Sequence, residues 1–112
     1  MTKAPLTGTL RHDSSWPEGD WRNSYFVPEN LIPSVDRAEA LRPLVPAEET
    51  MAGLALRFIL ANPDIAVVIP GMRRKAHVRA NLSRSQQPPL SDGVLASLRA
   101  HRRERQPTDW SQ

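Results

Sequence analysis

Apolar positions in this chain recur with two different spacings, and the change between them divides it into elements. From Ser34 to Arg42 they fall at Val35, Ala38 and Leu41, one face of a helix that Ser34 caps and Pro43 stops. Pro33 predicts a break just before it, because the residue ahead of a proline avoids helical dihedrals. A second helix is expected over 47–62, with Glu48 and Glu49 in its first turn, where the helix dipole favours them. Its centre, Ala52 to Ala61, is apolar nearly all round apart from Arg57, so it needs cover on most sides.

After the Asn62-Pro63-Asp64 turn the period disappears. Residues 65–69 (Ile65, Ala66, Val67, Val68, Ile69) are uniformly apolar and four of the five are β-branched, the pattern of a parallel strand buried on both faces. A Pro70-Gly71 turn and a basic helix over 73–83 follow, giving strand, tight turn, helix. Such a junction suits an anion: glycine lets the backbone approach, the first helical N–H groups point outward, and Arg73, Arg74 and Lys75 add positive charge. Gln86 to Pro89 reads as a linker, and a last helix starts at Ser91 or Asp92 with Val94, Leu95 and Leu98 on one face. Residues 1–27 show no sustained period and read as a long loop holding Trp16, Trp21, Tyr25 and Phe26. The tail 107–110 is expected to dock through Trp110.

Composition narrows the picture. At 112 residues there is room for one domain with a modest core. Absence of cysteine excludes disulfides, thiolate metal sites and a cysteine nucleophile. No apolar run is long enough for a bilayer and none follows Met1-Thr2-Lys3-Ala4-Pro5, so a cytoplasmic location without membrane contact is expected. Nine basic residues stand against three acidic ones from Gly71 onward, so the C-terminal part is the basic one. One reading of that charge is a small basic helical module that binds nucleic acid or an acidic protein through residues 73–84 and 99–105. The arginines are spread over two helices without an aromatic platform, which makes nucleic acid the weaker choice.

A lone buried strand also poses a problem, because its N–H and C=O groups need neighbours and only the short Tyr25-Phe26-Val27 offers another strand-like stretch. Either the chain is a piece of a larger α/β protein, or it borrows strands from a partner, or the segment is not a strand in the isolated chain.

The run Leu54-Ala55-Leu56-Arg57-Phe58-Ile59-Leu60-Ala61-Asn62-Pro63, followed by Val67-Val68-Ile69-Pro70-Gly71-Met72-Arg73 and then Val78 and Asn81, resembles the C-terminal third of the aldo-keto reductases. Leu6 to Leu10 and Trp16 to Asn23 are similar to the long loop after the seventh strand in that family. The resemblance implies an α/β fold, a C-terminal fragment of a (β/α)8 TIM barrel with one buried strand at 65–69, residues 47–62 as the seventh helix and 73–83 as the eighth. It implies NADP(H) as cofactor, its 2′-phosphate end held by Ile69, Pro70, Gly71, Met72 and Arg73, with His77 and Asn81 toward the adenine and Leu6 toward the nicotinamide. His77 and Ala80 depart from the family pattern, which often has Gln and an acidic residue there. The family reduces aldehydes or ketones with a Tyr, Lys, Asp and His that come from the front half of the barrel. Tyr25, Lys3 and Lys75 are not placed to replace them, so the chain by itself lacks the chemistry. A second polypeptide carrying the rest of the barrel, or self-association through the apolar helix, would cover what is left exposed.

Overall fold

Five α-helices and no β-strand form among residues 7–102, the part of the chain that the computed structural model describes. They are α1 (Arg22–Tyr25), α2 (Pro28–Leu41), α3 (Met51–Leu60), α4 (Lys75–Ser85) and α5 (Asp92–Ala100), with a 3-10 turn at Arg42–Leu44 after α2. The expectations for Leu6 and for Trp110 lie outside the described residues.

Aromatic packing gives the N-terminal stretch more order than its composition suggested. Leu10, Phe26, Leu31 and Val35 are buried together, and Trp16 and Tyr25 pack on them. Trp16 stacks on Phe26 with ring centroids 5.4 Å apart, while Tyr25 meets Phe26 edge-on at 4.9 Å. A turn in which Gly19 takes φ +80° closes with Asp20 donating its N–H to the Pro17 carbonyl at 3.1 Å. Asp20 then holds the Arg22 guanidinium over the Trp16 ring. Part of the expected loop 1–27 is therefore a short helix, α1, and Tyr25 ends that helix instead of starting a strand.

Helix α2 runs without interruption across Pro33, which corrects the expected break. Pro28 supplies the preset φ of a first helical position, and Glu29 sits in the first turn. Pro33 withholds one hydrogen bond from the carbonyl of Glu29, an exposed residue whose carbonyl can turn to water. Leu31, Ser34, Val35 and Ala38 are buried on both sides of the proline, so packing carries the helix through.

Helix α3 begins at Met51, four residues later than its pattern indicated. Thr50 caps it, its Oγ1 accepting the Gly53 N–H at 3.0 Å, and Glu49 closes the preceding turn onto the Pro46 carbonyl. Met51, Gly53, Leu54 and Leu56 are buried, whereas Ile59 and Leu60 remain exposed. Helix α5 starts as expected, Ser91 accepting the Val94 N–H.

The largest correction concerns residues 65–69 and with them the α/β barrel-fragment class. The segment is neither strand nor buried: Val67 is 73% and Ile69 83% exposed. No second strand exists among the described residues to take its hydrogen bonds, and a single strand has no ladder to join. The fold of the described residues is a small helical one.

Candidate functional site

The expected anion-binding junction begins at Asn62, whose Oδ1 accepts the Asp64 N–H at 3.0 Å and whose carbonyl accepts the Ile65 N–H at 3.2 Å. From Ile65 to Arg73 the chain passes without helix, turn or bend, and it bends at Arg74 into α4. The tight turn expected at Pro70-Gly71 does not form; the chain only bends, at Arg74, and Gly71 does not take a positive φ. Pro70 and Gly71 permit a turn without imposing one: it would need Gly71 in the positive-φ region, which Gly71 does not adopt here.

Arg74 is the N-cap of α4 with extended dihedrals (φ −118°, ψ 145°) and makes no side-chain capping bond. Its carbonyl takes the His77 and Val78 N–H groups at 2.9 and 3.2 Å. The N–H groups of Lys75 and Ala76 are left without an acceptor among the described residues. No acidic residue occupies the first turn. Three cations, Arg73, Arg74 and Lys75, thus crowd the positive end of a helix dipole, and none of them has an ion-pair partner among the described residues. The arrangement is electrostatically unfavourable on its own.

One contact joins the two halves of the predicted residue set. Asn81 lies on α4 and donates from Nδ2 to the Gly71 carbonyl at 3.4 Å, tying the helix to the chain before it. His77 precedes Asn81 by four residues, on the same helix face, and its imidazole is exposed. Ile69, Met72 and Arg73 are exposed too, and Pro70 is half-buried. The resemblance's residue set is contiguous in space only through Gly71 and Asn81.

A second polar cluster was not anticipated. Glu49, its side chain 4% exposed, lies between Arg57 and Arg84. Arg57 Nη1 donates to Oε2 at 3.4 Å and Nη2 to the Pro88 carbonyl at 2.8 Å. Arg84 Nε is 2.8 Å from Oε1 but not aligned to donate to it, so that contact is ionic without being a hydrogen bond. Oε1 also accepts the Thr50 N–H at 2.8 Å. The cluster lies over Gly53, where a Cβ would meet Glu49 Oε1 and come within 2.6 Å of Arg84 Nε. Glu49 and Gly53, four residues apart, were the signal: a carboxylate one turn ahead of a glycine can fold across the bare backbone. Arg84, on which a nucleic-acid reading would draw, is engaged here.

An apolar cleft of about 400 Å³ opens between the end of α2, α3 and α5, lined by Leu41, Leu54, Phe58 and Leu98, with Arg99 and His101 at its margin. None of residues 62–75 lines it. No helix among the described residues is long and apolar enough to cross a membrane, and no group of three or more metal-ligating side chains occurs among them. Compared with models of protein families, with curated proteins and with solved structures, the chain finds no match in any of the three.

Proposed function

We propose that this chain holds the phosphate-bearing end of NADP(H), as the cofactor-binding part of a reductase of the aldo-keto reductase kind. The observation that carries this reading is the uncapped start of α4, where Arg73, Arg74 and Lys75 gather with no anionic partner among the described residues. Arg73 offers a planar fork matched to the 2′-phosphate. The N–H groups of Lys75 and Ala76 add donors along the helix axis, and the backbone at Ile69, Pro70, Gly71 and Met72 flanks them. Asn81 keeps Gly71 in place through its bond to the carbonyl, and His77, one turn before Asn81, stands where an adenine edge could meet it.

Bound NADPH supplies a hydride for an aldehyde or ketone carbon. The proton must come from elsewhere: Tyr25 is half-buried in the aromatic cluster with Phe26 and Trp21, and Lys75 belongs to the phosphate end. The catalytic groups therefore belong to another polypeptide segment, and this chain's share is affinity and cofactor choice.

Calorimetric titration of the 112-residue chain with NADP+ and with NAD+ tests the reading. Charge-assisted hydrogen bonds to a phosphate contribute about 1.5–3 kcal/mol, so NADP+ is expected to bind roughly ten-fold or more tightly than NAD+. Arg73→Ala should erase that preference, while Arg99→Ala, in α5, should leave it intact. Equal affinity for the two nucleotides, or no binding of either, would overturn the proposal.

A further inference from the structure

We infer that two copies of this chain pair through residues 65–69, side by side and antiparallel, with Val67 on the two-fold axis. The backbone makes the first part of the case. Between Ile65 and Met72 the chain has no helix, turn or bend, and the N–H and C=O groups of Ala66, Val67, Val68 and Ile69 have no partner among the described residues. An open run of paired-length donors and acceptors is a template for another strand. The side chains make the second part: five uncharged residues, four of them β-branched, with Val67 and Ile69 exposed by 73% and 83%.

Charge selects the occupant and its direction. Asp64 is the one carboxylate between Glu49 and Asp92, it flanks the run at its start, and it has no ion pair among the described residues. Arg73 and Arg74 flank the run at its other end and are equally unpaired. In an antiparallel pair about Val67, Ile65 faces the second copy's Ile69, and each Asp64 falls beside the other copy's Pro70, within reach of its Arg73 side chain. A parallel pair would instead set Asp64 beside Asp64 and arginine beside arginine. The isologous arrangement is self-complementary at both ends, as a two-fold interface requires. Its small apolar area makes it a weak, concentration-dependent dimer. This inference does not rest on the cofactor reading.

The absence of cysteine in the chain makes the test clean. Val67→Cys places one thiol on the axis, where facing Cα atoms of a two-fold antiparallel pair lie about 4.5–5.5 Å apart, within disulfide range. Mild oxidation should then give a covalent species of twice 12.6 kDa well in excess of that from Gln87→Cys, an exposed control. Ile65→Cys alone should cross-link no more than the control, since its two thiols would sit roughly 14 Å apart at about 3.4 Å per residue. Mixed with Ile69→Cys it should form the mixed dimer. Val67→Lys, at an exposed position, should lower the weight-average mass measured by sedimentation while leaving the helical circular dichroism unchanged. No excess cross-linking at Val67 overturns the proposal, and so does Ile65→Cys self-linking as readily as Val67→Cys, which would mean a parallel pair.

Discussion

Gly53 shows how a single residue is fixed by what lies over it. Replacing glycine by alanine inside a helix ordinarily gains about 1 kcal/mol. Here the new methyl would displace Glu49 and Arg84, whose contact depends on the bare backbone. Gly53→Ala is therefore expected to destabilise the chain by about 1–3 kcal/mol, the cost of leaving buried polar groups badly paired. The check is the urea midpoint of Gly53→Ala measured alone and in a Glu49→Ala background. If the alanine costs as much without the carboxylate as with it, the ion cluster is not the reason. A second residue-level prediction concerns Glu39, whose carboxyl is held below its ordinary range by the hydrogen-bonded guanidinium of Arg42. A depressed folded-state value stabilises the fold above the unfolded-state value and loses that contribution as the pH falls through the folded one. Acidification should thus weaken the end of α2. The Glu39 carboxyl resonance should titrate at a lower pH in the native sequence than in Arg42→Ala; an unchanged midpoint would deny the coupling. Because both side chains are about half exposed, the effect on overall stability is small.

At the scale of elements, helices with an apolar face were legible and the junctions between them were not. Val35, Ala38 and Leu41 announced α2, and Ser91 announced the start of α5, because spacing and capping are local properties. The start of α3 slipped to Met51 because Thr50 adopts extended dihedrals and its Oγ1 accepts the Gly53 N–H, so Glu48 and Glu49 fall ahead of the helix instead of in its first turn. Pro33 misled for a related reason: its local cost is real, but the buried face of Leu31, Ser34, Val35 and Ala38 outweighs it. That balance is measurable. Pro33→Ala restores an N–H toward the Glu29 carbonyl and removes a residue that costs about 3 kcal/mol in a helix interior. The freer unfolded chain returns about 0.4–1 kcal/mol of that. A net gain of about 2–2.5 kcal/mol in thermal or urea unfolding is expected. A loss would mean that the proline ring is itself a packing element of α2. The residues proposed to meet an anion were legible as a set of types, Arg73 through Asn81, whereas their geometry was not: the expected strand, turn and helix presupposed a strand that only neighbours could create.

For the molecule as a whole, the apolar run 65–69 and the bareness of α4 have one cause, a shortage of surfaces to pack against. Helix α4 buries no residue, and α3 is the element it packs on most. Its polar tertiary anchors are the Arg84 contact with Glu49 and the Asn81 bond to Gly71. The N-terminal part, by contrast, closes an apolar cluster from Leu10 to Val35. Stability should therefore be distributed in two tiers, because apolar burial contributes about 25 cal/mol per Å² removed from water, whereas the attraction within a largely buried ion pair is mostly offset by its desolvation. Native-state hydrogen exchange separates the tiers. Amides of α2 from Leu31 to Ala38 should be the protected ones, and those of α4 should exchange faster through local opening that leaves α2 closed. Glu49→Gln, which keeps the shape and removes the charge, should speed exchange in α4 and leave protection at Leu31 and Val35 near its starting value. If α2 and α4 instead exchange with one common free energy and respond together to Glu49→Gln, the chain opens as a single cooperative unit. The polar cluster over Gly53 would then be part of the core that holds the helices together, not a strap on a loosely attached one. Arg73 gains from the first of these outcomes, since a phosphate bound at the start of a loosely held α4 would order that helix and slow its exchange, linking ligand to fold at the place where apolar packing does least.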